Sequence, residues 1–340
     1  MREIIGTWPE NDYRRYLQHH GIKGQKWGVR NAEWYPIADY KAHISRTGSS
    51  GTVSTNIKKQ GSLEALIALY VGGAVLSLGL VAADALHNKR VDKKIEKTKE
   101  KIANRKINQE IDKKTGLPKR MDQDPVEKDL KNVNPMYKIA KNNIEKEYIG
   151  YNMYIYKKRH PEYLNNCVLC TIATEVRRRG LDVMAKPAYD GMSGPKATAT
   201  CFPGGEAKLH DTNNLLKSID LKTGEFKLND KDDLFNSRLK KSQMDASKGK
   251  NIQNAKATIE NLSKEKNSRG GLFVTWAYGG GHAIQYEVRN GQVRLIDGQS
   301  NEIIENPKKV EKYLARTVFS TSYRYDNLEI DKSKIKEYVE

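Results

Sequence analysis

Three side chains spaced widely along this sequence could together carry out acyl-transfer chemistry: the thiol of Cys167, the imidazole of His282 and the carboxylate of Asp297. A thiol becomes a good nucleophile only when deprotonated, so it needs a base within hydrogen-bond reach, and the base needs an acid to fix its tautomer. Cys167 lies in Asn-Asn-Cys-Val-Leu-Cys at 165–170, His282 in Gly-Gly-Gly-His-Ala-Ile-Gln-Tyr at 279–286, and Asp297 in Leu-Ile-Asp-Gly-Gln at 295–299. Taken singly, each has an ordinary explanation: a satisfied core histidine, or an acid capping a turn before Gly298. The ordered set is more specific than any one member.

The local patterns supply elements to hold them. Asn165 or Asn166 suits the N-cap of a helix over 166–179 that Gly180 ends. That places Cys167 in the first turn, where unpaired N–H groups and the positive helix end stabilise a thiolate. The same N–H groups, with an amide of Asn165 or Asn166, are candidates to donate to an oxyanion, and Gln299 is a further candidate for shaping the site. Strands are predicted at 271–277, 282–289 and 292–297, and Asn290-Gly291 suits a two-residue type I′ turn between the last two. Such a hairpin puts His282, at one strand's start, across from Asp297, at the other's end. The triple glycine before His282 lets backbone come close to a substrate. Helices at 252–266 and 307–315 and a strand at 316–325 complete an α+β module.

Cys170 lies deeper in the helix and reads most simply as a small buried residue, although Cys167 and Cys170 form a Cys-x-x-Cys that admits a redox pair or half a zinc site. Cys201 is the only other thiol, so a fourth ligand would have to be His210 or a more distant histidine, and no metal or other cofactor is expected. Three cysteines in 340 residues do not build a disulfide framework, and reduced thiols are expected.

A hydrophobic fraction of 37% and mean hydropathy of −0.76 imply that much of the chain is not packed core. The net charge of +18 favours nucleic acid, anionic lipid or an acidic protein surface. Its Lys-rich runs hold few aromatics and show no finger spacing, which leaves non-specific nucleic-acid contact and argues against base-specific readout. Residues 1–60 read as leader and linker, without a secretory signal. Residues 61–87, around the uncharged run 65–83, read as a transmembrane helix, with a buried core helix as the competing reading. Lys58 and Lys59 on one side, against Lys89, Arg90, Lys93 and Lys94 on the other, favour a cytoplasmic C-terminal side. Residues 88–139 read as a basic spacer: a polar helix over 88–112, then a linker over 113–135 marked by Gly116, Pro118, Pro125 and Pro135.

The run from Asn166 to Val183, with Gly-Gly-His-Ala at 280–283 and Ile-Asp-Gly-Gln at 296–299, resembles the papain-fold toxin domain, whose members occur as C-terminal effector modules. The resemblance covers roughly residues 140–325 of a domain expected over 140–340, and implies a papain-like fold in which Cys167, His282 and Asp297 match the family's catalytic triad, with an activity of protein glutamine deamidation or peptide cleavage. No Gln stands a few residues before Cys167, so the resemblance assigns no oxyanion donor. His19 to Arg30, His-His-Gly-Ile-Lys-Gly-Gln-Lys-Trp-Gly-Val-Arg, resembles a short motif near the N-termini of bacteriophage structural and head-associated proteins, which implies a virion or prophage setting. The combined expectation is an α+β, papain-like C-terminal domain behind one transmembrane helix. It would act as a phage or prophage cysteine hydrolase on a host protein, located in the virion or at the host membrane, with phage structural proteins as further partners. The alternative is a non-catalytic phage structural or membrane-tethered component that holds DNA or lipid.

Overall fold

Residues that alternate between two apolar surfaces make the central sheet of this protein. In the computed structural model, which describes residues 86–107, 109–142, 144–150, 153–158, 160–189, 193–229 and 234–340, the chain divides into two units. The described part of one is helical over 86–100 and contains an antiparallel hairpin of β1 (Ile144–Gly150) and β2 (Met153–Lys158). The other contains 101–141 and 160–340 and holds every candidate site residue.

Its sheet is built from β3 (Ala207–His210), β6 (Arg269–Trp276), β7 (Gly281–Arg289), β8 (Gln292–Asp297), β9 (Glu302–Ile304) and β10 (Thr317–Arg324). The order is β3-β10-β6-β7-β8-β9, antiparallel throughout. A separate hairpin joins β4 (Leu216–Asp220) to β5 (Glu225–Leu228). Because side chains alternate along a strand, Leu272, Val274, Ile284 and Leu295 fall into one core cluster and Phe273, Ala283 and Ile296 into another. Helices α4 (Ile252–Ser263) and α5 (Pro307–Leu314) feed Ala255, Leu262, Val310 and Leu314 into the first. Helices α1 (Cys167–Arg178), α2 (Gly194–Cys201) and α3 (Phe235–Ser247) feed Val168, Ile172, Ala197, Phe235 and Leu239 into the second. With each full burial of a large aliphatic side chain contributing about 1.5–3 kcal/mol, coverage of both sheet faces fixes the register.

The mixed α+β architecture expected from 140 onward is present, and the β7–β8 turn is as predicted: Asn290 and Gly291 have φ of 51° and 77°, the two left-handed residues a type I′ turn requires. The transmembrane part of the expected fold class is corrected. Among the described residues no helix is long and apolar enough to cross a membrane, and the run 65–83 lies outside them. Helix is found over 86–106, shorter than the expected 88–112 at its end. Residues 113–135 are not a free linker. Ile111 pairs with Pro118, Lys119 bridges to Leu181, and Leu117, Val126, Leu130 and Val133 share the core that holds Cys167. Proline and glycine marked the turns of this segment correctly, but its apolar residues, irregularly spaced, are what dock it.

Candidate active site

Helix α1 is held at both ends and along its length, which sets where Cys167 sits. At its C-terminal end Arg177 donates from Nε and Nη2 to Asp129 and from Nη1 to Asp182 and the Val183 carbonyl, each at 2.6 Å. In its middle, fully buried Glu175 accepts from Arg179, Arg269 and Gln285 at 3.0–3.2 Å, tying the helix to β6 and β7. Gly180, at φ +87°, ends it as the sequence indicates. Cys167 is its first residue, and is buried.

His282 starts β7 opposite Val274, and Asp297 ends β8. The hairpin brings His282 Nε2 to 3.0 Å from Asp297 Oδ2. The Cys167 side chain is near enough to the imidazole to influence its charge. With Nε2 committed to Asp297, Nδ1 is the nitrogen left to exchange a proton with sulfur. Burial opposes charge on His282, but the Asp297 carboxylate and a Cys167 thiolate outweigh it and raise its pKa to about 10. Burial likewise opposes charge on Asp297, yet the imidazolium and the Ser300 donors hold it below the ordinary carboxylate range. The structure thus brings thiol, imidazole and carboxylate together in the order that nucleophilic catalysis needs.

The carboxylate is held by its own turn. Asp297 Oδ1 accepts from the backbone N–H groups of Gln299 (2.9 Å) and Ser300 (3.2 Å), and Oδ2 accepts from the Ser300 hydroxyl at 2.9 Å. Gly298 lets that turn lie directly on α1: a Cβ there would collide with Thr174 Oγ1 and come to 3.0 Å from the Cys170 carbonyl. Ser300 and Gly298 position Asp297, which the triad pattern alone does not indicate. An Asp followed three residues later by Ser is the signal of a side-chain-capped turn, and it was available in Asp-Gly-Gln-Ser.

The candidate supporting residues divide. Asn166 stands at the N-cap position, but its side chain makes no cap hydrogen bond. Its Nδ2 donates to the Lys186 carbonyl at 3.0 Å, and its Oδ1 accepts from Asn134 (2.9 Å), Cys170 (3.3 Å) and Gln299 (3.4 Å). Asn166 and Gln299 therefore brace the site from within, with the Asn166 amide nitrogen turned to the Lys186 carbonyl. Because the cap is not made, the first-turn N–H groups of α1 are left as the oxyanion donors on offer. Asn165 is half-buried and lies one residue further out. Cys167, Cys170 and Cys201 are all free thiols. Among the described residues no group of three or more His, Cys, Asp and Glu could hold a metal ion. His210 instead pairs with Ser322 at 2.8 Å, and burial lowers its pKa to about 4.

No curated protein and no solved structure matches the chain. Residues 10–33, which include the His19–Arg30 motif and lie outside the described residues, match a family of unknown function, DUF7211.

Proposed function

We propose that the chain is a cysteine-dependent amide hydrolase acting on a protein, by glutamine deamidation or peptide cleavage, through a papain-like arrangement of Cys167, His282 and Asp297. The observation that supports this reading is the convergence of the three groups, with the imidazole hydrogen-bonded to Asp297 and the Cys167 side chain near enough to act on its charge. The Cys167 thiolate attacks the amide carbon, and the oxyanion forms beside the first-turn N–H groups of α1. His282 then gives its proton to the departing nitrogen, which leaves as ammonia from a glutamine side chain or as an amine from a main-chain amide. Water, deprotonated by His282, hydrolyses the thioester and restores the thiolate. Asp297, fixed by Ser300, keeps the imidazole in the required tautomer. The resemblance of His19–Arg30 to phage motifs supports a phage or prophage effector acting on a host protein.

The test uses the full chain against host proteins, read by intact mass. Deamidation leaves the target whole with a slight mass gain, whereas cleavage splits it. Cys167→Ala should abolish either product, and equal activity in that variant overturns the proposal. A Cys167 that resists a thiol-directed probe near neutral pH would instead favour a non-catalytic structural role.

A further inference from the structure

The nucleophile helix carries a second buried thiol, Cys170, that the hydrolase reaction does not use. We infer that Cys170 is a resolving thiol for Cys167, so that hydroperoxide closes a Cys167–Cys170 disulfide in the first turn of α1 and switches the site off reversibly. The inference rests on the reading of Cys167 as the activated nucleophile.

Residues three apart on an α-helix have Cα atoms about 5 Å apart, from its rise and radius, and a disulfide accepts roughly 4.4–6.8 Å. The Cys170 thiol points back towards the helix start, since Sγ donates at 3.3 Å to Asn166 Oδ1, the side chain immediately before Cys167. Releasing that hydrogen bond strands nothing, because Asn166 Oδ1 retains its donors on Asn134 and Gln299. The first turn has no side-chain cap to resist a small adjustment. Burial raises the Cys170 thiol pKa well above its usual value, and negative charge on Cys167 and then on Asp297 raises it further. Cys170 therefore stays protonated, and oxidation of Cys167 to a neutral group removes one of the charges that suppress it.

The chemistry balances with a hydroperoxide as oxidant. The Cys167 thiolate attacks the terminal peroxide oxygen, the O–O bond breaks, and the departing alkoxide or hydroxide takes the His282 proton. This leaves a sulfenic acid on Cys167. The Cys170 sulfur then attacks the Cys167 sulfur, the S–O bond breaks, and hydroxide leaves with the Cys170 proton as water. In sum, two thiols and one hydroperoxide give one disulfide, one alcohol (water, from hydrogen peroxide) and one water.

The test treats the full chain with hydrogen peroxide, then denatures it, alkylates it with iodoacetamide and maps the sites by mass. The reduced chain should take up alkyl groups at all three cysteines, and the oxidised chain only at Cys201, with all three sites regained after dithiothreitol. Native alkylation of Cys167 should disappear and return in step. In Cys170→Ser, peroxide should carry Cys167 on to a sulfinic acid that dithiothreitol does not reverse. Wild-type chain in which Cys167 is oxidised while Cys170 still alkylates, or which forms sulfinic acid as fast as the variant, overturns the inference. The first of these results needs no variant to fold. If native Cys167 in the reduced chain alkylates no faster than Cys201, the catalytic reading itself fails, and this inference with it.

Discussion

At its C-terminal end helix α1 buries Arg177 between Asp129 and Asp182, and at its N-terminal end it buries Cys167 beside His282 and Asp297. Both ends bury a polar group, and both suit the helix dipole, a cation at the carboxyl end and, at the amino end, a group that can become an anion. They differ in what is left over. Arg177 spends Nε, Nη1 and Nη2 on acceptors at 2.6 Å, so that end is an anchor. At the other end the first-turn N–H groups have no side-chain cap, and the Cys167 thiol is free of any disulfide. Buried charge alone does not mark a reactive site; incomplete satisfaction of the surrounding donors and acceptors does.

The sharpest way to break this contrast is His282→Ala, which should slow alkylation of native Cys167 by about 100- to 10,000-fold and, below about pH 6.5, also lower the denaturation midpoint, because buried Asp297 loses its cation. Arg177→Met should instead separate the two measures, lowering stability in a urea titration by no more than about 3–5 kcal/mol, because Asp129 and Asp182 lose their shared buried cation and keep only Arg120 and Arg105, while the folded fraction still alkylates at Cys167. Gly298→Ala should affect both measures: the crowding against Thr174 and the Cys170 carbonyl costs about 1–3 kcal/mol, and the displaced Asp297 slows alkylation.

A pH series sharpens the comparison further. Below about pH 6.5 His282 is charged in folded and unfolded chains alike, so its ion pairing stabilises the fold in full. From there to about 10 only the folded chain keeps the proton, and the contribution falls away. The melting-temperature gap between wild type and Asp297→Asn should therefore be widest near pH 6 and narrow steadily towards pH 10. The Arg177→Met gap should stay flat over the same range, since a guanidinium does not titrate there. The smallest effect is expected for Ser300→Ala, a loss of about 1 kcal/mol or less from one hydrogen bond to a carboxylate that keeps two backbone donors, read as a modest slowing of alkylation.

Much of this site is legible in the sequence because its positions depend on local rules. Asn290-Gly291 dictates a hairpin, the hairpin pairs Gln285 with Ile296, and that register puts His282 and Asp297 on one rim. Gly180 ends α1, and its start follows from where the apolar pattern begins. What escapes the sequence depends on close approach between distant segments. Gly298 is needed because Thr174 lies above it, and Asn166 acts as a brace because Asn134, Lys186 and Gln299 happen to surround it. Residues 113–135 look like a linker by composition, whereas Leu117, Val126, Leu130 and Val133 find core partners that no periodicity announces. The short strands β3, β4 and β5 and the helix α3 were equally silent, the strands being too brief to display alternation.

The strand order has a consequence for the cell that makes this protein. The last strand in sequence, β10, is not at an edge but lies between β3 and β6, so the sheet cannot close until residues 317–324 have left the ribosome. A growing chain exposes Cys167 long before it possesses its base, and possesses the base before the sheet that steadies it. A chain that has emerged only as far as residue 316 already carries Cys167, His282 and Asp297 but not the strand that lies between β3 and β6, so the final steadying of the three groups waits for residues 317–324.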